Sequence, residues 1–396
     1  MPRNRIIYQS EALFAGQKSS DTVVDAHGVG DVKQLHRVQS ANYAFNVART
    51  DVNQFGELAA IDRVVLDTPT VSLDFSYLLA NFANEENLGF NVNASSVTDA
   101  NVVSAVTTLI DRSKDEKNYF IQTSAEGTDA NSDAAPQDVI GIGNGFMTSY
   151  SSEASVGGFP TVSVGVEGMN MIFDTGAALI ANPAINKIDG TAATSECLIP
   201  VASGDAGVTG QLQISTLRPG DIKISIAVND GTSSFGSDDF DLPGAKLPTA
   251  AGVGTNSANI QSYTISFDLG RTPIQRLGNR FSFAREIDFP VNVSLSVDAI
   301  LTDLTTGNLN TLIDCEKSYN IKIEMLGITG VQCPPTKATI CTYIMKDMRP
   351  DSQSYTSTIG DNKSVTIDFT SQIGGPSQNT VGLFMRGVTA SSPAIS

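Results

Sequence analysis

Residues 38–79 and 260–301 read as two versions of one segment, and this repeat constrains the fold more than any other feature of the chain. Aligned at a constant offset of 222 without a gap, they share Gln39/Gln261, Ser40/Ser262, Phe45/Phe267, Arg49/Arg271, Thr50/Thr272, Gly56/Gly278, Arg63/Arg285, Val71/Val293, Ser72/Ser294, Leu73/Leu295 and Leu79/Leu301, eleven identities in 42 positions. Most other apolar positions stay apolar. A repeat at fixed spacing means that one structural unit is built twice. Weaker matches extend it: Leu109-Ile110-Asp111 with Leu312-Ile313-Asp314, Lys114 with Lys317, Ser149-Tyr150 with Ser354-Tyr355, and 161–164 near 364–367. The expected organisation is a first domain at 1–176, a linker at 177–194, and a second domain at 195–396 with an extra N-terminal segment to about 255.

Each copy reads as β-structure. Tyr43, Phe45 and Val47 alternate with polar or small residues, as do Ile265, Phe267 and Leu269. Val71, Leu73, Phe75 and Tyr77 do the same, and so do Val291, Val293, Leu295 and Val297. A period of two marks a half-buried strand, and an apolar face kept in both copies fixes the register. Between these strands lie long loops, 49–69 and 271–290, each with a central glycine and retained apolar residues. A loop of that length that stays apolar is expected to lie against a core or a neighbouring subunit. The candidate contact residues are Phe55, Gly56, Leu58 and Ile61 in the first loop, and Leu277, Gly278, Phe281 and Phe283 in the second. Short helices are expected at 78–86, 98–111, 298–304 and 308–314. Further strands are expected at 119–124, 139–149, 161–167, 211–217, 221–228, 319–325, 338–345 and 364–369. The fold class that follows is mainly β with short helices: two similar sandwiches or barrels, each with an attached helix.

Composition agrees. Only 17% of residues are charged, and the chain is rich in glycine and in small polar residues. With 42 acidic against 25 basic residues the formal charge is −17. A nucleic-acid binder needs a basic footprint to neutralise phosphates, so specific DNA or RNA binding is not expected. The acidity either serves solubility or suits a surface that a polyanion passes without sticking. Four cysteines, Cys197, Cys315, Cys333 and Cys341, form no C-x-x-C pair and are too few for a disulfide scaffold, so they read as reduced thiols. The first residues do not read as a signal peptide, and no run of 18 apolar residues is present to span a membrane.

Motifs that carry chemistry are weak. Asp174-Thr175-Gly176 looks like an aspartic-protease signature, but that chemistry needs two carboxylates sharing a proton, and no second such tripeptide occurs. Gly141, Gly143 and Gly145 resemble a dinucleotide loop, yet Phe146 and the lack of a βαβ pattern break the fingerprint, leaving a strand with glycine kinks. His27 and His36 lack metal-ligand spacing. The expectation is no catalytic residue, no metal and no cofactor.

The stretch 140–164, IGIGNGFMTSYSSEASVGGFPTVSV, resembles the C-terminal strands of tail tube proteins of long-tailed bacteriophages, and the strand, long loop, strand and helix order of 38–86 is similar to theirs. The resemblance implies a β-sandwich with one flanking helix and a long loop that stacks between rings. The duplication resembles the kind that forms trimeric, pseudo-hexameric rings. The function so implied is a non-enzymatic virion protein that assembles with itself in the host cytoplasm. Its tube would meet tape measure, baseplate and tail terminator proteins and pass DNA through an acidic lumen without specific binding or membrane contact. The alternatives are a capsid decoration or baseplate hub protein and, remotely, an aspartic protease through Asp174.

Overall fold

The computed structural model describes residues 11–17, 32–66, 68–112, 114–124, 130, 138–175, 179–187, 189–193, 195–200, 202, 217–229, 241–242, 245–247, 259–304, 317–329, 336–375 and 379–387. The chain is mainly β. Its first half holds β1 (Glu11–Gln17), β2 (Val32–Leu35), β3 (Val38–Asn46), β4 (Arg49–Val52), β5 (Asp62–Val65), β6 (Thr70–Leu78), α1 (Ala83–Leu88), β7 (Val92–Ala94), α2 (Thr107–Ile110), β8 (Glu116–Thr123), β9 (Asp138–Ser155), β10 (Thr161–Gly168) and β11 (Asn170–Thr175). Two short strands, β12 (Leu179–Ala181) and β13 (Glu196–Leu198), follow. The second half holds β14 (Ile222–Val228), β15 (Asp241–Leu242), β16 (Ala245–Lys246), β17 (Ile260–Asp268), β18 (Arg271–Ile274), β19 (Ala284–Ile287), β20 (Val291–Ile300), β21 (Tyr319–Thr329), β22 (Thr336–Thr356), β23 (Ser364–Ile373) and β24 (Gly382–Gly387).

The same order of pairings runs through both halves. β1 pairs with β8, β8 and β11 pair with the first part of β9, and the last part of β9 passes to β10, then β6, then β3. β14 pairs with β21, β21 and β24 with the first part of β22, and its last part passes to β23, then β20, then β17. The registers supply the equivalences. Thr161 faces Leu78 and Ser364 faces Ile300, which are 222 apart, so the later strands align at an offset of 203. The same offset relates two left-handed non-glycine residues, Asn144 (φ 52) and Asp347 (φ 55). It also relates the bulges that β9 makes against β10 and β22 against β23. Ser149-Tyr150 therefore matches Ser352-Gln353, two residues before the sequence-based alignment.

Other expectations need correction. Residues 298–300 extend β20 and are not helical, because Asp298, Ala299 and Ile300 all find partners on β23. The α-helices among the described residues, at 83–88 and 107–110, are short, and 308–314 lies outside the described residues. The long loops 49–69 and 271–290 are each organised as a two-stranded hairpin, β4–β5 and β18–β19. The glycine run in β9 is a strand, as expected. A Cβ on Gly143 would lie 2.1 Å from the Pro183 carbonyl oxygen, so the absent side chain lets the segment after β12 cross the strand directly.

The halves join through β17, which pairs with residues 149–155 of β9 and makes one sheet of β23, β20, β17, β9, β10, β6 and β3. Beneath it one apolar core runs through both halves. At the joint Tyr150 stacks on Phe267 with ring centroids 5.3 Å apart, and Phe90 meets both rings edge-on. Glu85 of α1 is buried in this cluster. Its Oε1 accepts from the hydroxyls of Tyr77 (2.9 Å) and Tyr150 (3.2 Å), and the Tyr150 hydroxyl lies 2.7 Å from that of Tyr343 in the other half. Its Oε2 meets no hydrogen-bond partner among the described residues. Burial pushes the Glu85 carboxyl up to about 7, against the hydrogen bonds from the two tyrosines and the more distant Arg37 guanidinium, which lower it.

A carboxyl raised in the folded state binds its proton more tightly there than in the unfolded chain. Its stabilising effect is complete below the ordinary value of 4.5 and is lost as pH rises through about 7. The shift corresponds to roughly 3 kcal/mol. Thermal unfolding from pH 4.5 to 8 is expected to show a fall in Tm across this window that Glu85→Gln flattens.

Candidate assembly surface

Along β6, β10, β17, β20 and β23, apolar residues turn into the core and their neighbours turn to the opposite, open or half-open face. That face is built of polar rows. Ser40, Ser76, Ser163, Ser151, Ser266, Ser294 and Thr370 stand directly opposite one another across seven strands. A second row runs Thr161, Glu153, Thr264, Ser296, Asp368, Ser352, and a third runs Ser155, Ser262, Asp298, Thr366, Ser354. Neighbours in these rows bond one another. The Ser40 and Ser76 hydroxyls lie 2.7 Å apart, Ser296 Oγ donates to Asp368 Oδ1 (2.7 Å), and Thr161 Oγ1 donates to Glu153 Oε1 (3.1 Å).

The charge of this face is one-sided. β3, β6, residues 149–155 of β9, β10, β17, β20 and β23 contain no lysine, arginine or histidine. They carry Asp74, Glu153, Glu167, Asp268, Asp298 and Asp368. Glu167 is met by the Arg285 guanidinium from outside these strands; the remaining hydroxyls and carboxylates form a wettable surface that repels a polyanion instead of gripping it.

The two ends of the sheet are open among the described residues. β3 pairs with β6 along one side, and residues 349–356 of β22 pair with β23 along one side. These edges are the equivalents of β17 and of residues 149–155, which pair with each other inside the chain. Their side chains differ accordingly. Ile265 and Phe267 are 0% and 3% exposed, whereas Tyr43 and Phe45 at the same places on β3 are 36% and 64% exposed. Tyr355 on the opposite edge is also exposed, while its equivalent Ser152 is buried.

The two hairpins project their tips. Phe55, Leu58 and Leu277 are fully exposed, and Ile61 and Phe283 are exposed in part. Gly56 (φ 96) and Gly278 (φ 86) take equivalent left-handed turns with open space around them. Phe281 does not join this group: it turns inward against Phe146, Met169 and Ile185. The base of the second hairpin is bound to the first half. Arg285 Nη1 donates to Glu167 Oε1 (2.5 Å), Arg271 Nη1 to Asp115 Oδ2 (3.3 Å), and Asn279 Nδ2 to the Lys187 carbonyl (2.6 Å). Both guanidinium groups also lie over the Phe146 ring. Residues 48–66 of the first hairpin are exposed throughout.

The remaining sequence motifs have structural roles. The Asp174 carboxylate accepts from the backbone N–H groups of Thr175 (2.8 Å) and Ala181 (3.1 Å), tying the end of β11 to β12. The His36 backbone N–H donates to Asn84 Oδ1. Cys197 and Cys341 are buried, and His27, Cys315 and Cys333 lie outside the described residues. Among the described residues no three His, Cys, Asp or Glu side chains cluster as metal ligands, and no helix is long and apolar enough to cross a membrane.

The sequence matches no protein-family model and no curated protein. Among solved structures, a chain of the six-fold symmetrised anti-feeding prophage baseplate is similar at 12% identity and a TM-score of 0.26, covering 42% of this chain and 93% of that one. A chain from the C6 tail of an empty GTA particle is similar at 10% identity and a TM-score of 0.24, covering 42% and 96%. The crystal structure of Hcp protein is similar at 6% identity and a TM-score of 0.21, covering 42% and 98%. Likeness this slight adds no weight to a reading of the chain, which rests on its own pairings and surface.

Phe267 and Phe45 occupy one position of the repeat in two settings, so truncation should separate them. Phe267→Ala is expected to cost about 3–5 kcal/mol in denaturant unfolding of the isolated chain. Phe45→Ala should stay within about 0.5 kcal/mol of wild type.

Proposed function

We propose that the chain is a structural, non-enzymatic subunit of a bacteriophage tail tube, three copies of which close into a pseudo-sixfold ring. In this reading the repeat corresponds to two tail-tube-like β domains, 1–176 and 195–396 joined at 177–194, each with a flanking helix and a stacking hairpin. The observation that carries it is the pairing of β17 with β9 inside the chain, together with the open, equivalent edges of β3 and β22. An unpaired edge with exposed aromatics is a template for another strand. The internal joint dictates what fits it: β3 of one copy against residues 349–356 of the next. Moving the internal register by the two offsets sets Tyr43 opposite Tyr355, Ala44 opposite Ser354 and Phe45 opposite Gln353. A head-to-tail contact of this kind closes when the rotation per joint divides the circle, and six equal joints need three chains of two units.

Closure would remove the sheet edges and turn the polar rows toward the axis, where the carboxylates keep a passing DNA from adhering. The hairpin tips, Phe55, Leu58 and Ile61 with Leu277 and Phe283, would cover apolar surface between stacked rings, while Phe281 braces its hairpin from within. Tape measure, baseplate and terminator proteins are the partners of such a tube, and the virion tail is its location.

Negative-stain microscopy of the purified protein is expected to show rings or tubes of uniform diameter with threefold or pseudo-sixfold averages. Closed oligomers that never extend would favour a hub or decoration protein, and a monomer at every concentration would end the proposal. Ala44→Cys combined with Ser354→Cys should form a disulfide between chains under mild oxidation, giving covalent dimers and trimers on non-reducing gels.

A further inference from the structure

We infer that Arg63 is a docking residue that takes the Asp351 carboxylate of a second copy of this chain, so that a charge pair anchors the first hairpin across the joint. The inference rests on the ring reading and adds a specific partner to it. Inside the chain, the second hairpin is anchored on the other half by Arg285, whose side chain is 3% exposed and bonds Glu167 at 2.5 Å. Arg63 is its equivalent at the offset of 222. Among the described residues it faces no such anchor within its own chain. It pairs with Asp51 across the hairpin, where the two side chains are 68% and 46% exposed. An exposed pair of this kind contributes little.

The counterpart of Glu167 follows from the second offset, 203, which leads to Thr370. A threonine cannot supply the charge, but Thr370 Oγ1 donates to Asp351 Oδ2 at 2.5 Å. Asp351 is exposed and sits at the bulge in β22 against β23, on the stretch that forms the open edge. A carboxylate therefore stands one hydrogen bond from the place where Glu167 receives Arg285. The floor under the hairpin differs as well. Phe146, which three cations approach in the first half, corresponds to Arg349 in the second. The internal joint has an aromatic ring under its arginines, and the joint between copies has the Arg349 guanidinium in that place. The second should therefore be the more sensitive to ionic strength.

The test uses the full chain and charge reversal, read by sedimentation velocity. Arg63→Glu and Asp351→Arg should each weaken assembly at least tenfold at low salt, with thermal unfolding of the monomer little changed because both positions are exposed. The double variant should recover most of the loss. Wild-type assembly should also weaken with added salt. A double variant no better than either single, or singles that assemble as wild type, would overturn the pairing. The Ala44→Cys, Ser354→Cys crosslink separates the two levels of the argument. If it forms while charge reversal has no effect, the ring reading survives and the Arg63–Asp351 pair does not. If it fails to form and no oligomer appears, both are lost.

Discussion

The pairing of β17 with the end of β9 holds the rest of this structure in place. Seven residue pairs link the two halves there, from Ser262 opposite Ser155 to Asp268 opposite Ser149. Backbone hydrogen bonds in such a ladder fix direction and register, and the aromatic layer beneath adds the packing that makes the joint rigid. Tyr150 and Phe267 come from different halves and stack at 5.3 Å, with Phe90 set edge-on against both. Glu85 is the exception in this apolar layer. A carboxyl held by two phenols and pushed up by burial is costly in its charged form, and the cluster tolerates it best when protonated.

Once the halves are fixed, strand alternation decides the rest. Every second residue of seven strands points away from the core, and in this chain those positions are serine, threonine, asparagine, aspartate and glutamate far more often than anything else. The hydroxyl row from Ser40 to Thr370 runs at one height through both halves. Short polar side chains bond one another across strands and leave the surface smooth, where lysine or arginine would give it long cationic arms. The basic residues near this sheet are instead drawn to its margin, as Arg285 is to Glu167.

Much of this was legible in the sequence. The ungapped repeat placed β3 and β6 against β17 and β20 at the right offset, because a half-buried strand keeps its alternation even when most residues change, whereas the segments between them read as loops. What the sequence concealed was tertiary. The pairing of β4 with β5 is unreadable in residues that are all exposed. The full lengths of β9 and β22 were hidden by bulges and glycines that interrupt a simple period. Residues 298–300 looked helical but are held as strand by β23, a neighbour distant in the chain. Phe281 was grouped with the exposed tip residues, yet only its contact with Phe146 shows that it faces inward. The open edges of β3 and β22 had no sequence signal of their own. The exposure of Tyr43 and Phe45, against the burial of Ile265 and Phe267, is what distinguishes them.

Carrying two units on one polypeptide has a kinetic consequence. The contact between β17 and β9 forms within a single molecule, where a tether holds the partners at an effective concentration in the millimolar range that dilution cannot lower. Any contact made by β3 and the far end of β22 is bimolecular and responds to the amount of protein present. In a closed set of three chains, half of the seams would thus be complete as soon as each chain has folded. Only the other half would depend on encounter, so the population should pass from free chains to finished rings over a narrow range of protein concentration.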